Sequence, residues 1–343
     1  MKSQLPHTAS KHPQDGLVHP KLASDHPKSA LDHPAPLNQA ATALYPALAT
    51  WLGTHRRDLP MRASSVSPWG SLVFEVMSQQ TPIPRLQPIW LKWMQRWPTV
   101  TDVAQASPAD ILTMWDRLGY PSRALRLQQA AQTIVHNFGG HVPADLEQLQ
   151  TLPGIGLYTA SALCSFVFHQ RVAVLDTNIR RVLTRILDSQ EFPPATLGRA
   201  ERARAAVLLP VSGTDSAEWN LALMELGALV CTQKAPTCAD CPVSAQCAWL
   251  AAGKPAAVIR PRGQAWKGTD RQARGLIMAA LRRAYTSGTG LSREQALASA
   301  VVAGGDPDQP ARVLDSLLKD GLAQQTPTGL ITLPLSHARS ESE

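Results

Sequence analysis

Residues 152–160 read LPGIGLYTA. Two glycines, Gly154 and Gly156, stand one residue apart, which gives a tight turn and lets the backbone approach another group closely. Asp145–Gln150 ends a short predicted helix before the turn, and a new one starts at Leu157. The free N–H groups of such a helix start can hold an anion. A DNA phosphate fits there without any base being read. A plain helix–helix connection also uses Gly and Pro, so the hairpin alone decides only that two helices meet here.

Outward from this hairpin the chain is patterned for helices. In Trp69–Gln80 the apolar residues Trp69, Leu72, Val73, Val76 and Met77 recur on one face of an α-helix. Ala43–Gly53 reads as another helix. Further blocks are predicted at about 84–96, 108–116, 121–137, 143–151, 157–169, 177–187, 197–208 and 216–230. Residues 251–267, mixed Ala, Gly, Pro and Arg, read as a linker. Beyond it, helices are expected over Asp270–Tyr285, Arg293–Val302 and Pro310–Lys319, and a hairpin over Gly321–Leu333 around Pro327 and Gly329. Residues 268–335 thus suit a small winged-helix-like module behind an all-α body. Residues 1–38 differ: His12-Pro13, His19-Pro20, His26-Pro27 and His33-Pro34 recur every seven residues. A proline in every repeat forbids a continuous helix. This reads as a disordered tail grown by duplication, with metal binding by spaced histidines as the alternative.

The 343 residues, 44% hydrophobic and 17% charged, are globular in composition and enough for two or three structural units. A formal charge of +7 fits attraction to a polyanion without demanding one. No run of about 20 apolar residues exists, so no transmembrane helix is expected. The first residues lack the apolar core of a secretory signal. The expectation is a cytoplasmic protein with no membrane partner. In that reducing compartment, five cysteines point to metal or chemistry rather than to disulfides.

Four of those five, Cys231, Cys238, Cys241 and Cys247, follow the spacing C-x6-C-x2-C-x5-C. Structural zinc usually takes two close pairs, each gripping half of a tetrahedron. Only Cys238 and Cys241 form a close pair here, and the wider gaps favour an iron–sulfur cubane, a [4Fe–4S] cluster, over zinc. Lys234 inside the loop makes its surface electropositive. Cys164 lies in an apolar helical run and reads as core.

LPGIGLYTA, then VLDTNIRRVL at Val174–Leu183, then the four cysteines resemble the helix–hairpin–helix DNA glycosylases of the endonuclease III type. RDLP at Arg57–Pro60, EVMSQQTPI at Glu75–Ile83 and RLGYPSRALRL at Arg117–Leu127 narrow the resemblance to the adenine-removing branch. It implies a six-helix domain at 68–178 and an iron–sulfur domain built from 39–67 together with 179–250. The implied activity is base-excision repair without strand cleavage, hydrolysing the N-glycosidic bond of adenine mispaired with guanine or 8-oxoguanine. The implied partner is double-stranded DNA with a mismatch, bound by a monomer associated with the bacterial nucleoid.

Breaking that bond requires a proton for the leaving purine and a negative group for the cationic sugar left behind. Two carboxylates in unlike surroundings can divide that work. Glu75, in the apolar helix FEVM, is costly to bury unless paired or functional. Asp176 precedes a helix and could simply cap it, although a helix start also favours the ionised form. By resemblance, Glu75 protonates the purine N7 and later activates water, Asp176 stabilises the oxocarbenium ion, and Asn178 holds Asp176. Relatives that also cut the strand carry a lysine where Tyr158 stands; tyrosine forms no Schiff base. Base extrusion needs a wedge: Gln79 or Gln80 resembles it, and Tyr120 resembles a second intercalator.

Two positions depart from the family. Met61, in RDLPMR, replaces a tryptophan, and Leu221, in WNLALMELG, stands where several relatives carry Glu or Gln. With Arg57 and Leu59 these would line the base pocket. Methionine can fill the apolar space, whereas a lost polar reader matters more for discrimination. Residues 268–335 are too short and too helical for the Nudix-like domain that reads 8-oxoguanine in well-studied relatives; GTDRQARG at Gly268–Gly275 resembles the alternative tail of some high-GC bacterial ones. Two rivals remain. Removal of mismatched thymine or uracil would not need an acid for N7, and a catalytically idle iron–sulfur DNA-binding protein would not need both carboxylates.

Overall fold

A computed structural model describes residues 34–258 and 265–335; the His-Pro repeats before Pro34 lie outside them. Helix α1 spans Pro34–His55, so the chain is helical from within the stretch expected to be tail. Proline is tolerated in a first helical turn, and in the added turns Leu37 is buried, continuing the inner face of Leu44 and Leu48. There follow α2 (Pro68–Ser78), α3 (Ile83–Arg96), α4 (Val100–Gln105), α5 (Pro108–Trp115), α6 (Ser122–Phe138), α7 (Leu146–Thr151) and α8 (Leu157–Phe166). That makes seven helices where six were expected. The unforeseen one is α4, too short for periodicity to reveal; a capping box between Thr99 and Asp102 starts it.

The body closes with α9 (Thr177–Asp188), α10 (Arg199–Val207), α11 (Gly213–Leu229) and α12 (Ala248–Ala251). The C-terminal module is α13 (Asp270–Thr286), α14 (Arg293–Ser299), α15 (Gln309–Lys319) and an antiparallel pair, β1 (Gln324–Gln325) and β2 (Ile331–Thr332). Leu291, between α13 and α14, bridges to Ile331 and adds a third extended segment to that hairpin. Three helices with a small three-stranded edge is the winged-helix arrangement. Two predicted helices stop early: α8 ends at Phe166 rather than 169, and α14 at Ser299 rather than Val302. His169, with φ of 49°, already lies in the left-handed region, where a helix does not continue.

Two hydrophobic cores result. The first centres on Leu72, Met77, Trp93, Ile111 and Trp115, and runs on into Ile277, Leu281 and Leu314 of the C-terminal module. The second joins α1 to the later segment, through Leu48, Val182, Ile186, Trp219 and Leu226. The C-terminal module is fastened to the body by Arg282, whose Nε donates to the Leu112 carbonyl at 2.9 Å. The region of interest is where α2 packs against α8, near the start of α9.

Candidate active site and cysteine loop

Ser67 caps α2, accepting from the Gly70 amide at 3.2 Å. Pro68 begins the helix and Trp69, Leu72, Val73 and Val76 seat it in the first core. Glu75 is carried inward with them and is only 9% exposed. Burial pushes its carboxyl up to about 7, against the opposing pull of the Arg62 guanidinium and a hydrogen-bonding interaction with the Tyr158 hydroxyl; the charge of Asp176 adds to the rise. Its Oε2 is buried and accepts no hydrogen bond from the protein.

Tyr158 stands in the first turn of α8, directly after the hairpin. Burial raises its hydroxyl above the ordinary tyrosine range, and both Glu75 and Asp176 raise it further, so it stays neutral. These mutual influences put the acid, the tyrosine and Asp176 close to one another. At the hairpin itself Gly154 holds φ of 79°, and a Cβ there would meet the Arg126 side chain at 2.9 Å. Gly156 is the residue before α8 and faces open space.

Asp176 caps α9. Its Oδ1 accepts from the Ile179 amide at 2.6 Å, and its Oδ2 accepts from the Asn178 side-chain amide at 2.9 Å. Burial raises its pKa, while these hydrogen bonds and Arg181 lower it. Capping and a role in charge stabilisation are therefore compatible here. Asn178 is oriented in turn by Arg181, whose Nη2 donates to Asn178 Oδ1 at 2.9 Å and to the Gly227 carbonyl at 2.6 Å. The same guanidinium donates from Nε to the Cys231 carbonyl at 2.9 Å. A Cβ on Gly227 would come within 2.7 Å of Asn178, so only glycine lets α11 approach α9 at this point. The fully buried Asn220 donates to Ser165 Oγ and the Val172 carbonyl and accepts from the Val174 amide, holding the loop that leads to Asp176.

The residues expected to line a base pocket are divided. Leu59 and Met61 are buried in the first core, while Leu221 is half-buried against the second. Arg57 is engaged by Glu225, with Nε at 2.6 Å and Nη2 at 2.9 Å. Arg62 also reaches Glu225, at 2.6 Å. Burial raises the Glu225 pKa, but the two guanidiniums outweigh that and hold it below the usual carboxylate range. Sequence reading missed Glu225, Arg181 and Asn220. A lone charge within the apolar run LALMELGALV is the same signal that singled out Glu75, and it could have found Glu225.

Of the two wedge candidates, Gln79 is half-buried and donates from Nε2 to Thr159 Oγ1 at 3.2 Å, whereas Gln80 is exposed with φ of 56°. Tyr120 is 41% exposed.

Cys231, Cys238, Cys241 and Cys247 line one small apolar cavity, walled by Val182, Ile186, Leu226 and Trp249. Among the described residues no three His, Cys, Asp or Glu side chains are grouped to hold a single ion. Four cysteine thiols lining one apolar space are a donor set that fits a [4Fe–4S] cluster. Arg185, with no exposed surface, donates from Nη1 to the Cys231 sulfur at 3.2 Å and to the Thr232 carbonyl at 2.8 Å, and lies 4.5 Å over the Trp249 ring. Lys234 is exposed on the outer side of the loop.

A buried acid, a capped carboxylate and a glycine hairpin on an all-α frame define a helix–hairpin–helix protein of DNA repair. In agreement, residues 73–204 match the HhH-GPD superfamily of base excision DNA repair proteins. The adenine DNA glycosylase of Mycolicibacterium smegmatis is 46% identical over 286 residues, 83% of this chain and 94% of that one. That of Mycobacterium tuberculosis H37Rv is 44% identical over 288 residues, 84% of this chain and 92% of that one. The chain belongs to the adenine DNA glycosylase family. Among solved structures, a thermostable thymine-DNA glycosylase aligns with a TM-score of 0.56 at 25% identity, covering 63% of this chain and 98% of that one. Endonuclease III in a non-covalent DNA complex aligns with a TM-score of 0.54 at 18% identity over 62% of this chain and 95% of that one, which speaks for the fold. No helix among the described residues is long and apolar enough to cross a membrane.

Proposed function

We propose that the protein removes adenine mispaired with guanine or 8-oxoguanine by hydrolysing its N-glycosidic bond, leaving an abasic site. The observation that carries this is the close approach of Glu75, Tyr158 and Asp176, each of which bears on the protonation of another. With its pKa near 7, Glu75 is protonated in a large fraction of molecules at neutral pH and can give that proton to purine N7. Its Oε2, with no protein donor, is the oxygen free to face the base. As the bond lengthens, positive charge grows on the sugar, and Asp176, fixed by Ile179 and Asn178, offers the anion. The ionised Glu75 then takes a proton from the attacking water. Tyr158 has no amine, so the strand stays uncut.

Binding follows from the surroundings. The hairpin at Gly154 and Gly156 would hold a phosphate on the N–H groups of α8. Gln80, exposed and strained, would fill the gap left by the extruded nucleotide, while Gln79 braces the turn against Thr159. Arg57, Leu59, Met61 and Leu221 would line the base pocket. Cys231, Cys238, Cys241 and Cys247 would hold a [4Fe–4S] cluster, which when bound fixes the loop presenting Lys234 to the DNA backbone. The protein would act as a monomer on duplex DNA in the bacterial cytoplasm.

The test is single-turnover excision on duplexes holding A opposite G, A opposite 8-oxoguanine, T opposite G and U opposite G. Cleavage of the first two alone is expected. Cleavage of the T or U duplexes would favour a pyrimidine-removing enzyme, and tight binding of all four without cleavage an idle DNA-binding protein.

A further inference from the structure

Three segments distant in sequence meet at the rim beyond the Glu75 helix. They are the Gln79–Gln80 turn after α2, the Gly119–Tyr120 turn before α6, and residues 265–271 at the entrance to the C-terminal module. Arg123 clasps the first two. Its Nη1 donates to the Val76 carbonyl at 3.0 Å and the Gln79 carbonyl at 2.5 Å, and its Nη2 to the Leu118 and Gly119 carbonyls. Its guanidinium also lies 5.6 Å over the Tyr120 ring. Arg271, on α13, brings in the third segment: its Nη1 donates to the Tyr120 hydroxyl at 3.1 Å, and it lies 5.1 Å over the Trp266 ring.

The rim has the makings of a nucleic-acid surface. Trp266 is 51% exposed, a large flat ring held in water against an arginine. Gln80 and Tyr120 hold φ of 56° and 46°, a conformation that costs a non-glycine residue free energy and persists where function calls for it. Lys267 is exposed beside the ring, and the acidic neighbour Asp270 is engaged by Arg312 at 2.9 Å. Exposed rings among cationic groups are the means by which proteins stack on unpaired bases.

We propose that Trp266 and Arg271 of the C-terminal module form, with Tyr120, a stacking platform for the base that faces the target adenine from the opposite strand. This rests on the reading that the Glu75 pocket receives the extruded adenine. An adenine turned inward past the Gln79–Gln80 turn leaves its partner outside the pocket, on the rim that Tyr120 and Trp266 line. The C-terminal module thereby contributes to mismatch recognition as well as to packing.

Binding of full-length W266A and the unsubstituted protein, both carrying Glu75→Gln to keep the substrate intact, is compared on two duplexes. One holds adenine opposite guanine, the other adenine opposite an abasic site. W266A is expected to weaken binding of the first at least about fivefold, the low end for a lost base–aromatic stack, and to leave the second unchanged. W266F restores the affinity, and R293A, which breaks a surface ion pair with Asp315 on the same module, has no effect. Equal affinity of W266A and its parent for the guanine duplex overturns the proposal, and so does an equal loss on both duplexes. Should the protein with Glu75 intact bind yet excise nothing, the glycosylase reading fails while this comparison still decides the role of Trp266.

Discussion

Glu75 and Asp176 carry the same chemical group into one pocket from opposite kinds of structure. Glu75 arrives mid-helix, on the apolar face of α2, where burial dominates and one oxygen lacks a donor. Asp176 arrives at a helix start, where a backbone amide and the Asn178 side chain donate to its two oxygens. Burial raises both carboxyls; at Glu75 it is opposed by Arg62 and the Tyr158 hydroxyl, at Asp176 by the Ile179 amide, Asn178 and Arg181. On the proposed mechanism, position within a helix, more than residue type, divides the roles of acid and anion between them.

The most damaging change to this division is Glu75→Gln, which preserves shape and removes the transferable proton. Single-turnover excision should fall by about 10²–10⁴-fold, the usual contribution of a general acid, while DNA binding persists. A residual rate within about tenfold of the parent would mean that the proton comes from elsewhere. Asp176→Asn sharpens the other side. Asparagine caps a helix nearly as well as aspartate, so the melting temperature should hold while the rate drops by about 10²–10³-fold, as for loss of one preorganised electrostatic contact. Asp176→Ala should also lose about 1 kcal/mol of stability with the cap. If D176N excised as fast as the parent, Asp176 would be a cap and nothing more.

The two carboxylates were unequally legible in the sequence. A charged residue in the apolar periodicity of Trp69–Met77 is a visible anomaly, and the helix it predicted differs from α2 by two residues or fewer at either end. Asp176 before NIRRVL is indistinguishable from any capping aspartate, and only the family motif distinguished it. The glycine hairpin and the spacing of the cysteines are local patterns and could be read directly. Partners fixed by tertiary contact could not. That Arg57 and Arg62 converge on Glu225, or that Arg181 spans from Asn178 to the Cys231 carbonyl, depends on how α1, α9 and α11 pack. Short elements fared worst: α4 has six residues, less than two full turns, too few for periodicity to register.

A third expectation concerns pH. On the proposed mechanism Glu75 acts in its protonated form, and its carboxyl is raised to about 7, so excision should be fully available below that pH and lost as pH rises through it. The rate should fall about tenfold per pH unit well above the midpoint, as expected of one required proton. A profile flat to pH 9 would break the contrast between the two carboxylates. Smaller still is the effect of Gly227→Ala. The added methyl presses on Asn178, one hydrogen bond from Asp176. The rate should drop by about an order of magnitude, within the range for a misplaced catalytic group, with the midpoint of the pH profile unmoved because Glu75 is untouched.

The finest adjustment lies in Glu225, and it tests whether the Glu75 side of the cleft is set by burial alone. Arg62 is the largest influence holding the Glu75 pKa down, and Arg62 itself is ion-paired to Glu225 at 2.6 Å. Glu225→Gln keeps the shape of that clasp and removes its negative charge. Arg62 then acts on Glu75 less compensated, the carboxylate form of Glu75 is favoured, and its pKa falls. Because the rate is lost as pH rises through that pKa, the alkaline limb should move to lower pH. Arg62→Met removes the lowering influence altogether and should move the same limb to higher pH. Both substitutions disturb a buried ion pair and cost stability, so a merely structural role predicts that both lower the rate with no movement of the midpoint. Opposite displacements of one limb by two residues in the same ion pair can arise only if that pair sets the electrostatic level at which Glu75 holds its proton.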